Sequence, residues 1–212
     1  MTPDLLSNLP SRIHMILEEG AKEGASRIAF TDEDGAEWSY RRLIDTVADV
    51  AGKMAELGVR PGDRVMAVCE NSIAAIVLMY AASRLDAWSV MTSARLSSRE
   101  IDLIKEDSSP RCVFYTHTIS SEADAHARRH GATLEVFDEI GRVKVGSLDA
   151  GTMAESVESD PAKQVATLIY TTGTTGRPKG VMLSHRNLAF VACRGKLTKT
   201  ILADDVSLCL MP

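Results

Sequence analysis

The chain has few cysteines, few aromatics and no long apolar run, and each scarcity closes off a class of function. Its four cysteines, Cys69, Cys112, Cys193 and Cys209, are widely separated and sit among apolar neighbours. Zinc and redox motifs need short paired spacings, so these read as buried thiols in a reducing compartment, with no metal and no disulfide. Aromatic residues make up 5% of the sequence. No series of them suggests stacking on nucleic-acid bases, and Trp38 and Trp88 are expected in the core. The longest apolar run, residues 73–82, is about half of what a membrane-crossing helix needs. The 24 basic residues are scattered and the net charge is -5, which argues against nucleic acid or an anionic membrane as partner. Residues 1–12 carry Asp4 and no basic segment followed by an apolar stretch, so no secretory signal is read and the expected location is cytoplasmic.

What remains is a globular composition, 45% hydrophobic and 25% charged, in 212 residues, enough for one large or two small domains. Residues 1–24 read as a helix-bearing leader, with Ile13, Ile16 and Leu17 at helical spacing and Gly20 and Gly24 ending the pattern. A hairpin over 27–31 and 36–40 follows, joined by Asp32-Glu33-Asp34-Gly35, whose Asp-Gly step is a turn signal. Ser39 is placed to cap a helix over 40–57, whose Leu43, Val47, Val50, Ala51, Met54 and Leu57 form one stripe before Gly58 stops it. Pro61-Gly62-Asp63 turns the chain into a strand at 65–69. A helix at 72–85, strand 87–91, helix 98–107, strand 112–115, helix 121–130 and strand 133–137 complete the pattern. Short unbroken apolar strands separated by helices require a parallel sheet covered on both faces, because crossover helices occupy those faces. The expected fold is α/β, a mostly parallel sheet flanked by helices on both faces. His126 and His130 lie four apart on one helix, but Ala127 stands where a metalloprotease has Glu, and Arg128 and Arg129 disfavour a cation. They read as a solvated helix face.

Residues 138–163, rich in Gly, Ser, Asp and Glu, read as a connector between an α/β unit of residues 1–137 and a further segment, 164–212. That segment opens with an apolar strand at 165–170 that runs into Thr171-Thr172-Gly173-Thr174-Thr175-Gly176-Arg177-Pro178-Lys179-Gly180. Three glycines, four threonines and a lysine share these ten positions. Glycines let a backbone turn with its N–H groups inward, threonine hydroxyls add donors, and the lysine supplies a mobile charge, a combination suited to a polyphosphate. A solvent-exposed turn explains two glycines but not four hydroxyls together with a lysine. The P-loop of ATPases is excluded, because Arg177 and Pro178 separate Gly176 from Lys179 and Gly180 stands where a magnesium-binding Ser or Thr belongs. A strand at 181–183 and a helix at 185–197 capped by Ser184 follow, with His185 either a helix-start residue or a phosphate neighbour.

The run Leu168-Ile169-Tyr170 through Gly180-Val181-Met182-Leu183-Ser184-His185-Arg186-Asn187-Leu188 resembles the AMP-binding signature of the adenylate-forming superfamily. Upstream, Trp38-Ser39-Tyr40-Arg41-Arg42-Leu43, Leu57-Gly58-Val59 and Pro61-Gly62-Asp63-Arg64-Val65 resemble the family's N-terminal pattern, so the likeness covers all but about the first two dozen residues. One stretch departs: a Gly-Ala-x-x-x-Pro-x-Asn-Pro-like segment is usual where this chain has Asp86-Ala87-Trp88-Ser89-Val90-Met91-Thr92-Ser93-Ala94-Arg95-Leu96. Thr172 stands where serine is frequent, which keeps the hydroxyl.

The resemblance implies an acyl-CoA synthetase type of ligase. A carboxylic acid attacks the α-phosphate of ATP, with Mg2+, to give acyl-AMP and pyrophosphate, and a thiol, usually coenzyme A, then displaces AMP. It further implies that Thr171, Thr172, Gly173, Thr174, Thr175, Gly176 and Lys179 hold the β- and γ-phosphates while Pro178 and Gly180 shape the loop. The family's aromatic-Gly-x-Thr-Glu motif, ribose-binding Asp and catalytic Lys are expected beyond residue 212, in the remainder of the polypeptide, and a final strand is expected at 206–210. A stand-alone nucleotide-binding or interaction module, or a scaffold that has lost catalysis, are the alternatives.

Overall fold

The computed structural model describes residues 8–171, 177–199, 201, 202 and 204–208. Helix α1 (Met15–Lys22) and the hairpin β1 (Ile28–Thr31) and β2 (Glu37–Ser39) lead into α2 (Tyr40–Glu56). Then come β3 (Arg64–Cys69), α3 (Ile73–Arg84), β4 (Trp88–Ser93), α4 (Ser98–Ser108), β5 (Cys112–Tyr115), α5 (Ser121–Arg129) and β6 (Leu134–Val136). After β7 (Val143–Val145) the chain reaches β8 (Val165–Thr171), β9 (Lys179–Ser184) and α6 (His185–Thr198). The main sheet runs β6-β7-β5-β3-β4-β8-β9. β5, β3, β4 and β8 are parallel, and the edges are closed by antiparallel pairings.

Strand β3 shows why both faces need cover. Val65, Ala67 and Cys69 enter one apolar cluster with Leu43, Val50 and Met54 of α2 and Val77 and Leu78 of α3. Met66 and Val68 enter the other, with Ile101 and Ile104 of α4 and Ala123 and Ala127 of α5. Successive strand residues point to opposite faces, so an all-apolar strand must be buried twice over. The helices start where serines cap them: Ser39, Ser72, Ser97 and Ser120 each accept an N–H from the first turn. Burial raises the thiol pKa of Cys69 and of Cys112 to about 12, which leaves both inert. Cys193, expected in the core, is half-exposed on α6, and Cys209 lies outside the described residues.

Several expectations are corrected. The connector at 138–163 contains a 3-10 turn, Asp138–Ile140, and strand β7, which pairs with β5 and β6. Ile140, Val143 and Val145 are buried, so Val-Lys-Val supplies two core side chains from within a polar stretch. The rest of that stretch is bonded to the body: Glu155 N–H donates to the Gly62 carbonyl, and Arg60 Nη2 donates to that of Thr152 at 2.8 Å. β8 and β9 extend the same sheet through β4. His126 is buried and its Nε2 lies 3.1 Å from the carbonyls of Ala94 and Leu96, so it ties α5 to the loop after β4. His130 links the buried Tyr115 hydroxyl to Asp102, at 2.5 and 2.9 Å. Residues 205–208 form no strand, and 209–212 lie outside the described residues.

Asp86, in the place of the family's glycine, takes φ +55°, and its carboxylate accepts Arg12 Nε–H at 2.5 Å. Asp tolerates the left-handed region better than most residues, so the departure from pattern keeps the turn.

Two glycines separate conformational from steric need. Gly35 (φ +82°) has open space where a Cβ would point, whereas at Gly62 (φ +80°) a Cβ would overlap the Glu155 backbone. Gly35→Ala is expected to cost about 1 kcal/mol, and Gly62→Ala at least about 3 kcal/mol because overpacking against backbone adds to the φ penalty. Urea unfolding of both variants checks this difference.

Candidate functional site

The loop singled out by sequence joins β8 to β9 at the carboxyl end of the parallel strands. In open α/β sheets ligands bind outside these ends. Thr171 faces Lys179 across the mouth of the hairpin, and Tyr170 faces Gly180. Thr172, Gly173, Thr174, Thr175 and Gly176 lie outside the described residues. Lys179 is exposed and forms no ion pair with another described residue, so its charge is available to an anion. Pro178 is half-buried beside it. Gly180 has a steric reason: a Cβ there would stand 3.0 Å from Cζ of Tyr170. The Tyr170 hydroxyl donates to Asp107 Oδ2 at 2.6 Å, tying the rising strand to the end of α4. Sequence reading missed this pair; the aromatic residue opposite a glycine was its only local signal.

The other end of the hairpin is built differently. Ser184 accepts Asn187 N–H at 3.2 Å, and Asn187 Oδ1 accepts Ser184 N–H at 3.0 Å, a reciprocal cap that starts α6. His185 is fully buried, and its Nδ1 accepts Ile13 N–H at 3.1 Å. It stands at the foot of β8 and β9, roughly 20 Å from the loop at the usual strand rise, and is therefore a helix-start residue and no phosphate neighbour. Accepting at Nδ1 requires the proton on Nε2, which has no partner among the described residues. Such an orphaned N–H costs about 1–3 kcal/mol. Burial, then the nearby Arg12 cation, lower the His185 pKa to about 4, with Asp86 opposing.

Two concave surfaces, of about 450 and 430 Å³, lie away from the hairpin. The first is lined by Arg41, Arg42 and Asp45, the second by Asp102, Lys105, Tyr115 and His130. Among the described residues no group of three or more His, Cys, Asp or Glu could hold a metal. No helix of the described chain is long and apolar enough to cross a membrane.

The family model for AMP-binding enzymes matches residues 17–212. The chain belongs to the AMP-binding enzyme family. A feruloyl-CoA synthase of Amycolatopsis is 34% identical over 173 residues, which is 81% of this chain and 33% of that protein. The long-chain-fatty-acid–CoA ligase FadD13 of Mycobacterium tuberculosis is 32% identical over 69% of this chain and 29% of its own length. The chain thus spans about a third of the length of these relatives. Among solved structures, apo MatB of Rhodopseudomonas palustris matches with TM-score 0.69 and 26% identity over 92% of this chain and 39% of its own. ATP-bound MatB matches with TM-score 0.65 and 28% identity over 88% of this chain and 37% of its own.

The buried imidazole gives this family member a pH dependence of defined sign. Unfolded His185 titrates near the ordinary value of about 6.5 and folded His185 at about 4. Below 6.5 the unfolded chain therefore binds a proton that the folded chain refuses. The stabilisation is complete above pH 6.5 and is lost as pH falls through about 4. His14, lowered by burial and by Arg84, acts in the same direction. Urea midpoints measured from pH 7 to pH 4 should fall more steeply for the wild type than for His185→Asn.

Proposed function

We propose that these residues are the N-terminal part of an ATP-dependent acyl-CoA synthetase, which converts a carboxylic acid and ATP to acyl-AMP and pyrophosphate and then passes the acyl group to the thiol of coenzyme A. The observation that carries the reading is the Thr171–Lys179 pair at the mouth of the β8–β9 loop, within a chain matched by the AMP-binding family. Thr171, Thr172, Gly173, Thr174, Thr175, Gly176 and Lys179 hold the β- and γ-phosphates in this reading, and Pro178 and Gly180 shape the loop. Phosphoryl chemistry depends on positioning and charge stabilisation more than on a protein nucleophile. Lys179 then steadies the pyrophosphate as the carboxylate oxygen bonds to the α-phosphorus and the bridging oxygen leaves. Magnesium accompanies ATP in this reading, and since it binds mainly through the phosphates and water it needs no cluster of three or more His, Cys, Asp or Glu, of which the described residues hold none.

Two relatives' names, feruloyl in one and long-chain fatty acid in the other, support a carboxylic acid as the substrate class. A longer protein is also supported by the apolar side chains that β8, β9 and α6 expose, among them Ile169, Val181, Met182, Phe190 and Val191. Ile169 and Val181 face each other across the hairpin and share one of its sides, and exposed apolar side chains of this kind suit cover by further chain.

In the full-length protein Lys179→Ala is expected to slow adenylation about a hundredfold, the usual effect of losing one charge-directed donor, while thioester formation from preformed acyl-AMP stays nearly unchanged. Single-turnover assays of the two half-reactions decide it, and equal slowing of both would remove the proposed role. The 212-residue chain alone is expected to bind ATP no better than about millimolar, because the exposed mouth of the hairpin at Thr171 and Lys179 buries little of the nucleotide. Isothermal titration, with pyrophosphate exchange against fatty and aryl acids, is the check. Micromolar binding, or exchange that vanishes in Lys179→Ala, would mean that a complete site exists within these residues.

A further inference from the structure

The hairpin that carries the loop is embedded only at its foot. β8 is buried at residues 165–168 and opens to solvent from Ile169, while β9 is exposed until Leu183 and buried at Ser184. Its pairing with the body is brief, Ser89 with Thr167 and Val90 with Leu168. Thr171 stands three residues beyond Leu168, roughly 10 Å along the strand. A tilt of about 6° at the foot therefore carries the mouth of the loop about 1 Å, an error that costs a reaction up to about a hundredfold.

Four parts of the chain meet at the ring of His185 and its neighbours. His185 N–H donates to the Gln164 carbonyl at 3.1 Å, directly before β8. The buried Gln164 side chain accepts Glu158 N–H at 2.7 Å and donates to the Asp86 carbonyl at 3.3 Å. Arg12 reaches the Asp86 carboxylate at 2.5 Å and the Glu158 carbonyl at 2.8 Å. Ile13 N–H, one residue on, donates to His185 Nδ1 at 3.1 Å. The leader, the turn before β4, the stretch before β8 and helix α6 are thus joined around the buried His185 and Gln164, with the Arg12 contacts at the solvent edge. With the proton moved to Nδ1, two N–H groups would face each other and the joint would open.

We propose that His185 is a positioning residue, held as the Nε2–H tautomer, which clamps the leader at Ile13 onto the foot of the hairpin and so fixes the direction in which β8 and β9 carry Thr171 and Lys179. The consequence for nucleotide binding rests on the reading of the loop as a phosphate site; the clamp itself does not.

On the 212-residue chain at pH 7, a long-range proton–nitrogen spectrum of the imidazoles, assigned by loss of one signal in His185→Asn, should show Nε2–H and an Nδ1 that accepts a hydrogen bond. A charged ring or an Nδ1–H tautomer overturns the proposal. His185→Phe keeps a ring and removes the acceptor, whereas His185→Asn returns an acceptor near Nδ1. Hydrogen exchange at residues 169–171 and 179–181 should rise about tenfold in the Phe variant and within about twofold in the Asn variant. Unchanged exchange in His185→Phe overturns the proposal. If that variant does not fold, the tautomer and the exchange of the Asn variant still decide. In the full-length ligase, His185→Phe should raise KM for ATP about tenfold with KM for the carboxylic acid unchanged, and His185→Asn should restore it. Equal rises in both constants would mark a merely structural residue and overturn the positioning role. A wild type without pyrophosphate exchange would sink the ligase reading and leave the clamp to be judged by the spectrum and the exchange rates.

Discussion

The burial of β3 on both faces is the constraint from which the rest of the molecule follows. A strand reading Val65, Met66, Ala67, Val68, Cys69 has no side it can leave in water. Helices α2 and α3 close one face and α4 and α5 the other. Because the crossovers through α3 and α4 return the chain to strands parallel with β3, the carboxyl ends of β3, β4, β5 and β8 fall on one edge. Ser72, Ser97 and Ser120 start three helices beside that edge, each directing its N-terminal dipole toward it. The loop after β8 begins on that edge because β8 runs parallel with β4.

That placement leaves the loop-bearing end of the hairpin exposed, from Ile169 on β8 and up to Met182 on β9. Side-chain bonds supplement the short β4 pairing: Thr167 Oγ1 donates to the Ser89 carbonyl at 2.9 Å, and Ser89 Oγ to that of Ala166 at 3.2 Å. Nearer the loop, the Tyr170–Asp107 bond is exposed, and exposed polar contacts contribute little because water competes for both partners. The foot is where buried hydrogen bonds concentrate. An exposed mouth on a buried foot suits a segment that must meet a ligand without losing its direction.

Much of this was legible in the residues. The stripe from Leu43 to Met54 with its Ser39 cap and Gly58 stop set α2 to within a residue of its observed ends, and the helices read at 72–85, 98–107 and 121–130 lie within a residue of α3, α4 and α5. The strand at Cys112–Tyr115 was read at its full extent. β7 was not, because two valines flanking a lysine give no periodicity to set against Gly, Ser, Asp and Glu around them. His126 was misjudged for a related reason. Its neighbours Arg128 and Arg129 make the helix look polar, while the face that carries His126 packs under the carbonyls of Ala94 and Leu96, which belong to another element.

By itself the sequence determined what is written within a few residues: periodicity, caps, turns, the composition of the loop between Thr171 and Gly180, and through its signature the family. Tertiary structure alone decided which distant residues meet. Ile13 and His185 lie 172 positions apart, Arg12 and Asp86 74, and Tyr170 and Asp107 63. None of these pairs leaves a local pattern, since each partner is an ordinary residue for its own element. His185 makes the point most sharply, for a histidine after a capping serine is equally suited to a ligand or to the interior. Only the arrival of the leader at its ring, with a backbone N–H that needs an acceptor away from water, settles which it is.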